Sequence, residues 1–171
     1  MASTFPGTLN PTAVLFPAAT TRDLNYSAVY SEHCHRIYSL AFWMTDNELI
    51  AEELAKNTFL RVFADLRAPR ADQIDQAFLA EVRESFVIGN LTLNCNAAAP
   101  SLGMRANIKR VYLERAVVSL PATEKLIFLF HDVDGYSHDN IARMLGISED
   151  ESRYGLHQAR LRVRELVAQQ A

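Results

Sequence analysis

YSHDNIARMLGISEDESRYGLHQARLRVR, residues 136–164, reads as two helices joined by a tight turn. Ser137 is placed to cap the first helix, with Ile141, Met144 and Leu145 at i, i+3 and i+4 on one face. Gly146 supplies the left-handed residue that ends it. Ser148 with Glu151 three positions on forms a capping box, and Leu156, Ala159, Val163 and Leu166 recur at helical spacing along a second, longer helix. This pattern predicts a helix-turn-helix. Its second helix carries Arg153, His157, Arg160 and Arg164 at steps of four, three and four, so they line one side beside the apolar stripe.

Charged residues opposite an apolar face usually do no more than solvate a helix, so the stripe has to be weighed by what surrounds it. Residues 152–164 hold four arginines and no acid, which suits phosphate contacts, and arginine can also grip a guanine edge. Against this stand Glu149, Asp150 and Glu151. They favour the helix N-terminus through its dipole, yet that end faces the groove in many helix-turn-helix docks, where carboxylates oppose phosphates.

The remainder of the composition narrows the function classes. A chain of 171 residues that is 49% hydrophobic and 22% charged builds a globular core rather than a disordered tail. Net charge is −3, so nucleic-acid binding has to be local. Residues 1–100 hold 7 basic against 11 acidic residues and residues 101–171 hold 10 against 9, which makes the C-terminal half the DNA-facing one. Cys34 and Cys95 share no paired spacing, and neither a signal peptide nor a run of about 18 apolar residues occurs, so the expectation is a cytoplasmic protein without a membrane span. His33-Cys34-His35 resembles a metal tract, but residues i and i+2 on a helix point about 200° apart and cannot readily share one ion. No nucleotide-binding glycine loop, HExxH or GxSxG is present, so no catalytic residue, cofactor, metal or small-molecule substrate is expected. His131-Asp132 is read as the end of a helix.

In chain order, residues 1–22 are rich in Pro, Thr and Ala and read as a flexible extension. A first helix runs from Asp23 to about Thr45. Asp46 or Asn47 caps a second, whose Leu49, Ile50, Leu54, Phe59, Leu60, Val62 and Phe63 give a broad apolar surface before Pro69. A third is expected from about Asp72 to Leu93, with Ile74, Phe78, Val82, Phe86 and Leu93 spaced near four. Residues 94–106, where Pro100 and Gly103 break the periodicity, read as a linker. A short helix with Ile108, Val111, Tyr112, Ala116 and Val117 follows, then one that enters at Leu120-Pro121 and closes at Gly135. The expected fold is therefore all-α: two small helical domains, residues 23–93 and 107–171, joined by the 94–106 linker, the C-terminal one a helix-turn-helix domain.

Two runs carry a family resemblance. SLPATEKLIFLFHDVDGYSHDNIARMLGISEDESRYGLHQARLRVRELV resembles the fourth region of bacterial RNA polymerase sigma factors, especially the extracytoplasmic-function group. YSEHCHRIYSLAFWMTDNELIAEELAKNTFLRVFADL resembles the second region, and AEELAKNTFLRVF its polymerase-clamp helix. Both occur in the family's order and cover roughly residues 26–168. The resemblance implies that core RNA polymerase binds through Glu52, Glu53, Lys56, Asn57 and Arg61. It implies that promoter DNA is read by the second helix of the helix-turn-helix, through Arg153, Tyr154, His157, Gln158, Arg160 and Arg164. An anti-sigma protein is a further implied partner, and polymerase, not this chain, would supply the chemistry.

The working surfaces depart from the family pattern. Lys56 and Asn57 stand where Gln and Glu are usual. Glu81 and Val82 fall where the third helix typically has a Trp-Leu pair, and residues 70–94 hold two arginines against Asp72, Asp75, Glu81 and Glu84. Phe78 and Phe86 could stack flipped bases, but their spacing of eight on an apolar stripe is that of core residues. In the recognition helix, Gly155 and Gln158 replace arginines, Ser152 replaces an apolar residue, and Gly155 costs about 1 kcal/mol against alanine. Two readings therefore stay open beside each other: promoter-directed transcription initiation, and a degenerate sigma homologue that binds polymerase or an anti-sigma protein without melting DNA. A dimeric helix-turn-helix repressor would leave the clamp-like helix unused.

Overall fold

Apolar residues three and four apart along most of the chain are realised as helices throughout. The computed structural model describes residues 21–65, 68–95 and 110–170. They form α1 (Thr21–Thr45), α2 (Glu48–Asp65), α3 (Ala71–Ser85), α4 (Arg110–Val118), α5 (Ala122–Phe128), α6 (His138–Leu145) and α7 (Glu149–Gln170), with no strand among the described residues. Residues 1–20 of the expected N-terminal extension, and 96–106 of the expected linker, lie outside the described residues.

The α1–α2 hairpin turns at Asp46, whose φ of 51° is left-handed, a conformation Asp tolerates better than most residues. Asn47, not Asp46, caps α2: its Oδ1 accepts the Ile50 amide at 3.1 Å. Helices α1, α2 and α3 pack in succession around Ile37, Leu40, Met44, Leu54, Phe59, Val62, Ile74, Phe78 and Val82, all buried. Burying side chains of this size contributes about 1.5–3 kcal/mol each. Phe78 is wholly enclosed and Phe86 partly so, both packed in the core rather than presented to bases.

The third helix is shorter than its periodicity predicts. It stops at Ser85, with Phe86 extended at φ −132°, ψ 141°. Residues 86–95 continue as an irregular strap, four of whose amides are satisfied by side chains of the C-terminal half. Gly89 N–H donates to Thr123 Oγ1 (3.2 Å), Thr92 and Leu93 N–H both donate to Glu124 Oε1 (2.5 and 2.7 Å), and Cys95 N–H donates to Gln158 Oε1 (2.5 Å). Acceptors distant in sequence thus replace the i−4 carbonyls that a longer helix would have used. Asn94 and Cys95, assigned from sequence to the linker, belong to this strap.

The helix α5 runs on into a π-helical turn at Leu129–Val133, where Asp134 N–H reaches back to Leu129 O (3.0 Å) and Gly135 at φ 74° ends the run. Helices α4, α5 and α6 pack on α7, and α1 and α3 touch α4, α5 and α6. The buried side chains of both halves consequently form one continuous cluster. Charged groups reinforce this junction. Asp75 on α3 is fully buried; one oxygen meets the Arg36 guanidinium and the other accepts the Tyr136 hydroxyl at 2.5 Å. Arg36 also donates to Asp134 Oδ2 (2.9 Å), and Arg83 donates to Met144 O (3.0 Å) at the end of α6. Burial pulls the Arg36 pKa down, but its two carboxylate partners outweigh this and raise it.

Candidate nucleic-acid interface and polymerase-facing helix

The helix-turn-helix forms by the local chemistry its sequence displays. Ser137 Oγ accepts the Asn140 amide (3.4 Å), Gly146 takes the left-handed position at φ 76°, and Ile147 N–H bonds to Ala142 O (3.0 Å). The capping box closes in both directions. Ser148 Oγ accepts from Glu151 N–H (3.1 Å), while Glu151 Oε2 accepts from Ser148 N–H (2.7 Å) and its hydroxyl (2.8 Å). These bonds hold the Glu151 carboxyl below the usual carboxylate range. Leu156, Ala159, Val163 and Val167 bury the inner side of α7. Ser152, wholly enclosed among them, is satisfied by His138 Nδ1 at 3.0 Å.

Five of the six residues expected to face DNA are on or beside one exposed surface of α7: Arg153, Tyr154, His157, Arg160 and Arg164. Their electrostatic states differ. Arg153 pairs with Glu149 (2.5 Å) and approaches Asp150 (3.9 Å), both in the first turn of its own helix. Arg160 makes a forked contact with Asp132 from the π-helical turn (3.0 and 2.6 Å). Arg164 is exposed and makes no ion pair among the described residues. Burial pushes the Asp132 carboxyl up, but Arg160 and His131 outweigh it and hold the pKa low. His138 stacks on His131 (4.5 Å between centroids), and its pKa is lowered by burial first and by the charge of His131 and Arg153 after that.

Gln158 is a correction. It is 5% exposed, and its side chain holds the strap through Cys95 N–H instead of facing solvent. Gly155 is also explained: a Cβ there would lie 2.7 Å from Ile127 Cδ1 and 2.8 Å from Leu91 Cδ2. The helix gives up a side chain so that the strap can lie against it. Spacing in the sequence gives no sign of the pairings of Asp132 with Arg160, Asp134 and Asp75 with Arg36, Tyr136 with Asp75, or Glu124 with the strap, because each joins residues distant in the chain. The one local signal was the acid-rich run HDVDG, at 131–135, leading out of an apolar helix.

On α2 the five residues expected to meet polymerase split between two sides. Glu52 and Lys56 line a groove between α1 and α2 with Tyr26, Tyr30, Phe59 and Leu60. Glu53 and Asn57 face α3 beside Glu81 and Glu84. Arg61 also turns to α3, held by Glu81 (2.5 Å) and Glu84 (2.6 Å). Leu54 and Phe59 are core residues, whereas Leu49, Ile50 and Leu60 are exposed.

A family model for sigma-70, region 4, matches residues 110–163, a span that runs from α4 into α7 and includes Arg153 and Arg160. The extracytoplasmic-function (ECF) RNA polymerase sigma factor SigE of Mycolicibacterium smegmatis is 25% identical over 165 residues, an alignment covering 84% of this chain. The chain is thus similar to ECF-type sigma factors, most specifically over the helix-turn-helix half. It spans 62% of the length of that relative. The fold is shared with the sigma factor RpoE, solved in complex with the anti-sigma factor NepR from Bartonella quintana, at a TM-score of 0.59 and 14% identity, covering 84% of this chain and 97% of that one. Among the described residues no helix is long and apolar enough to cross a membrane, and no cluster of side chains suits a metal ion.

Proposed function

We propose that the chain is a transcription initiation protein of the cytoplasm that binds core RNA polymerase through α2 and directs it to promoter DNA through α7. The observation that carries this reading is the capped helix-turn-helix, in the span that matches sigma-70 region 4, with Arg153 and His157 exposed on α7 and Arg164 exposed one residue beyond that span. Its chemistry is binding, with catalysis left to polymerase. Residues 23–93 and 107–171 would serve as the polymerase-facing and promoter-facing units. The groove beside Glu52 and Lys56, rimmed by Tyr26, Tyr30 and Leu60, offers mixed apolar and charged contacts of the kind protein interfaces use. The test is transcription from native promoters with purified core polymerase. Promoter-dependent transcripts that disappear on Arg153→Glu with Arg164→Glu support the reading; failure of the chain to bind core polymerase defeats it.

The acidic third helix favours a second reading. Glu81 and Glu84 neutralise Arg61, so this arginine is not free to hold a displaced DNA strand. A homologue that occupies polymerase or engages an anti-sigma protein without opening DNA fits this surface. Permanganate footprinting separates the two: polymerase binding without reactive thymines supports the interaction role.

A further inference from the structure

The strap of residues 86–95 does more than connect α3 to the following chain. It lies on α7 beside the surface assigned to DNA. Gln158 is one residue, about 100°, round the helix from His157, and it is covered because its Oε1 accepts the Cys95 amide. Leu91 rests on Gly155. At the other end of the strap, Gly89 runs close to Leu145 O, and the preceding helix reaches the same corner through Arg83 and Met144 O. That corner is the helix-turn-helix turn, next to the first turn of α7. Docking of α7 into a groove brings the phosphate backbone to this region. In this arrangement it would meet the strap and the acidic end of α3, where Glu84 is 64% exposed at its side chain.

The strap is held in a way that suits release. Four of its amides are bonded by side chains, not by a ladder, and its outer residues Val87, Asn90 and Thr92 are exposed. Glu124, fully buried in α5, uses one oxygen for Thr92 and Leu93 while Oε2 has no hydrogen-bond partner. A buried carboxylate with one unsatisfied oxygen makes the docked strap less favourable than a fully paired one.

We propose that residues 86–95 are an autoinhibitory strap that occupies the flank of α7 and excludes duplex DNA until it is displaced. The proposal rests on the reading of α7 as the DNA-facing helix. Strap docking and DNA binding are then mutually exclusive, and each weakens the other to the same degree.

Two measurements on the full chain test this. In a Cys34→Ser background Cys95 is the remaining thiol of the chain, so its alkylation rate reports strap release. A saturating short random-sequence duplex is expected to speed alkylation; protection or an unchanged rate overturns the proposal. In the second, Leu91→Ser and Gly155→Ala each loosen the strap, one by removing its anchor and the other by filling its seat. Both are expected to tighten binding to the same duplex by about tenfold, the gain on freeing a site that is closed about 90% of the time. Thermal melting confirms that each variant is folded. Equal and measurable affinity in wild type and both variants refutes the strap while leaving the DNA reading standing. No affinity in any of them refutes both.

Discussion

Replacing Tyr136 by Phe removes one hydroxyl from the junction of the two halves, and the consequence can be worked through. The hydroxyl donates to Asp75 Oδ2 at 2.5 Å, and Asp75 is fully buried. A hydrogen bond to a charged group is worth about 1.5–3 kcal/mol; Tyr136 is itself partly solvated, so about 1–2 kcal/mol is expected here. For a chain of this size that lowers Tm by roughly 3–6 °C. The pH dependence gives a second, independent signature. Burial, the bond to Asp75 and that carboxylate's charge push the Tyr136 pKa up to about 12. The unfolded phenol ionises near 10. A raised folded pKa means the stabilisation is complete below about pH 10 and lost as pH rises towards 12. The difference between wild type and Tyr136→Phe, measured by urea unfolding, should therefore be largest at pH 8 and mostly lost by pH 11. A difference under about 0.5 kcal/mol at pH 8, or one that does not shrink with pH, would refute the account of the junction.

Three further outcomes follow from individual contacts. Gly155→Ala gains about 1 kcal/mol of helix propensity, but its Cβ would crowd Ile127 and Leu91; crowding costs about 1–3 kcal/mol, so urea unfolding should show a net loss, and net stabilisation would mean that the strap yields freely. Ser148→Ala removes the hydroxyl that accepts the Glu151 amide and donates to its carboxylate, leaving the backbone half of the α7 capping box, and should cost about 1 kcal/mol, read as a lower thermal midpoint by circular dichroism; an unchanged midpoint would show the hydroxyl to be idle in solution. In DNA titrations across salt concentrations, Arg164→Ala should reduce the salt slope by about 0.9. Arg160→Ala should reduce it less, because Asp132 already neutralises that side chain, and equal slopes would count against the pairing.

How much of this was legible beforehand varied with the range of the interaction. The extent of α1, a cap on α2 at Asp46 or Asn47, the Ser137 and Ser148 caps and the Gly146 turn all depend on groups within four residues of one another, and each was readable from spacing, with the structure choosing Asn47. The end of α3 was not. Ile74, Phe78, Val82, Phe86 and Leu93 keep a helical period past Ser85, but Thr123, Glu124 and Gln158 offer side-chain acceptors that draw the backbone out into the strap. The site divided similarly. Arg153, His157 and Arg164 were found from their face of α7, whereas Gln158 sits under the strap and Arg160 is engaged by Asp132, 28 residues away in the chain.

By itself, then, the sequence determined an all-helical chain, the helix-turn-helix and its caps, and the side of α7 that carries the arginines, because helical periodicity and capping are interactions within one or two turns. Only the tertiary structure decided which of those arginines are free, why a glycine interrupts α7, and how the halves join. Those outcomes rest on pairs such as Tyr136 with Asp75 and Arg36 with Asp134, separated by 61 and 98 residues. A buried carboxylate takes its partners from whatever the fold brings within about 3 Å, and no local pattern encodes that choice.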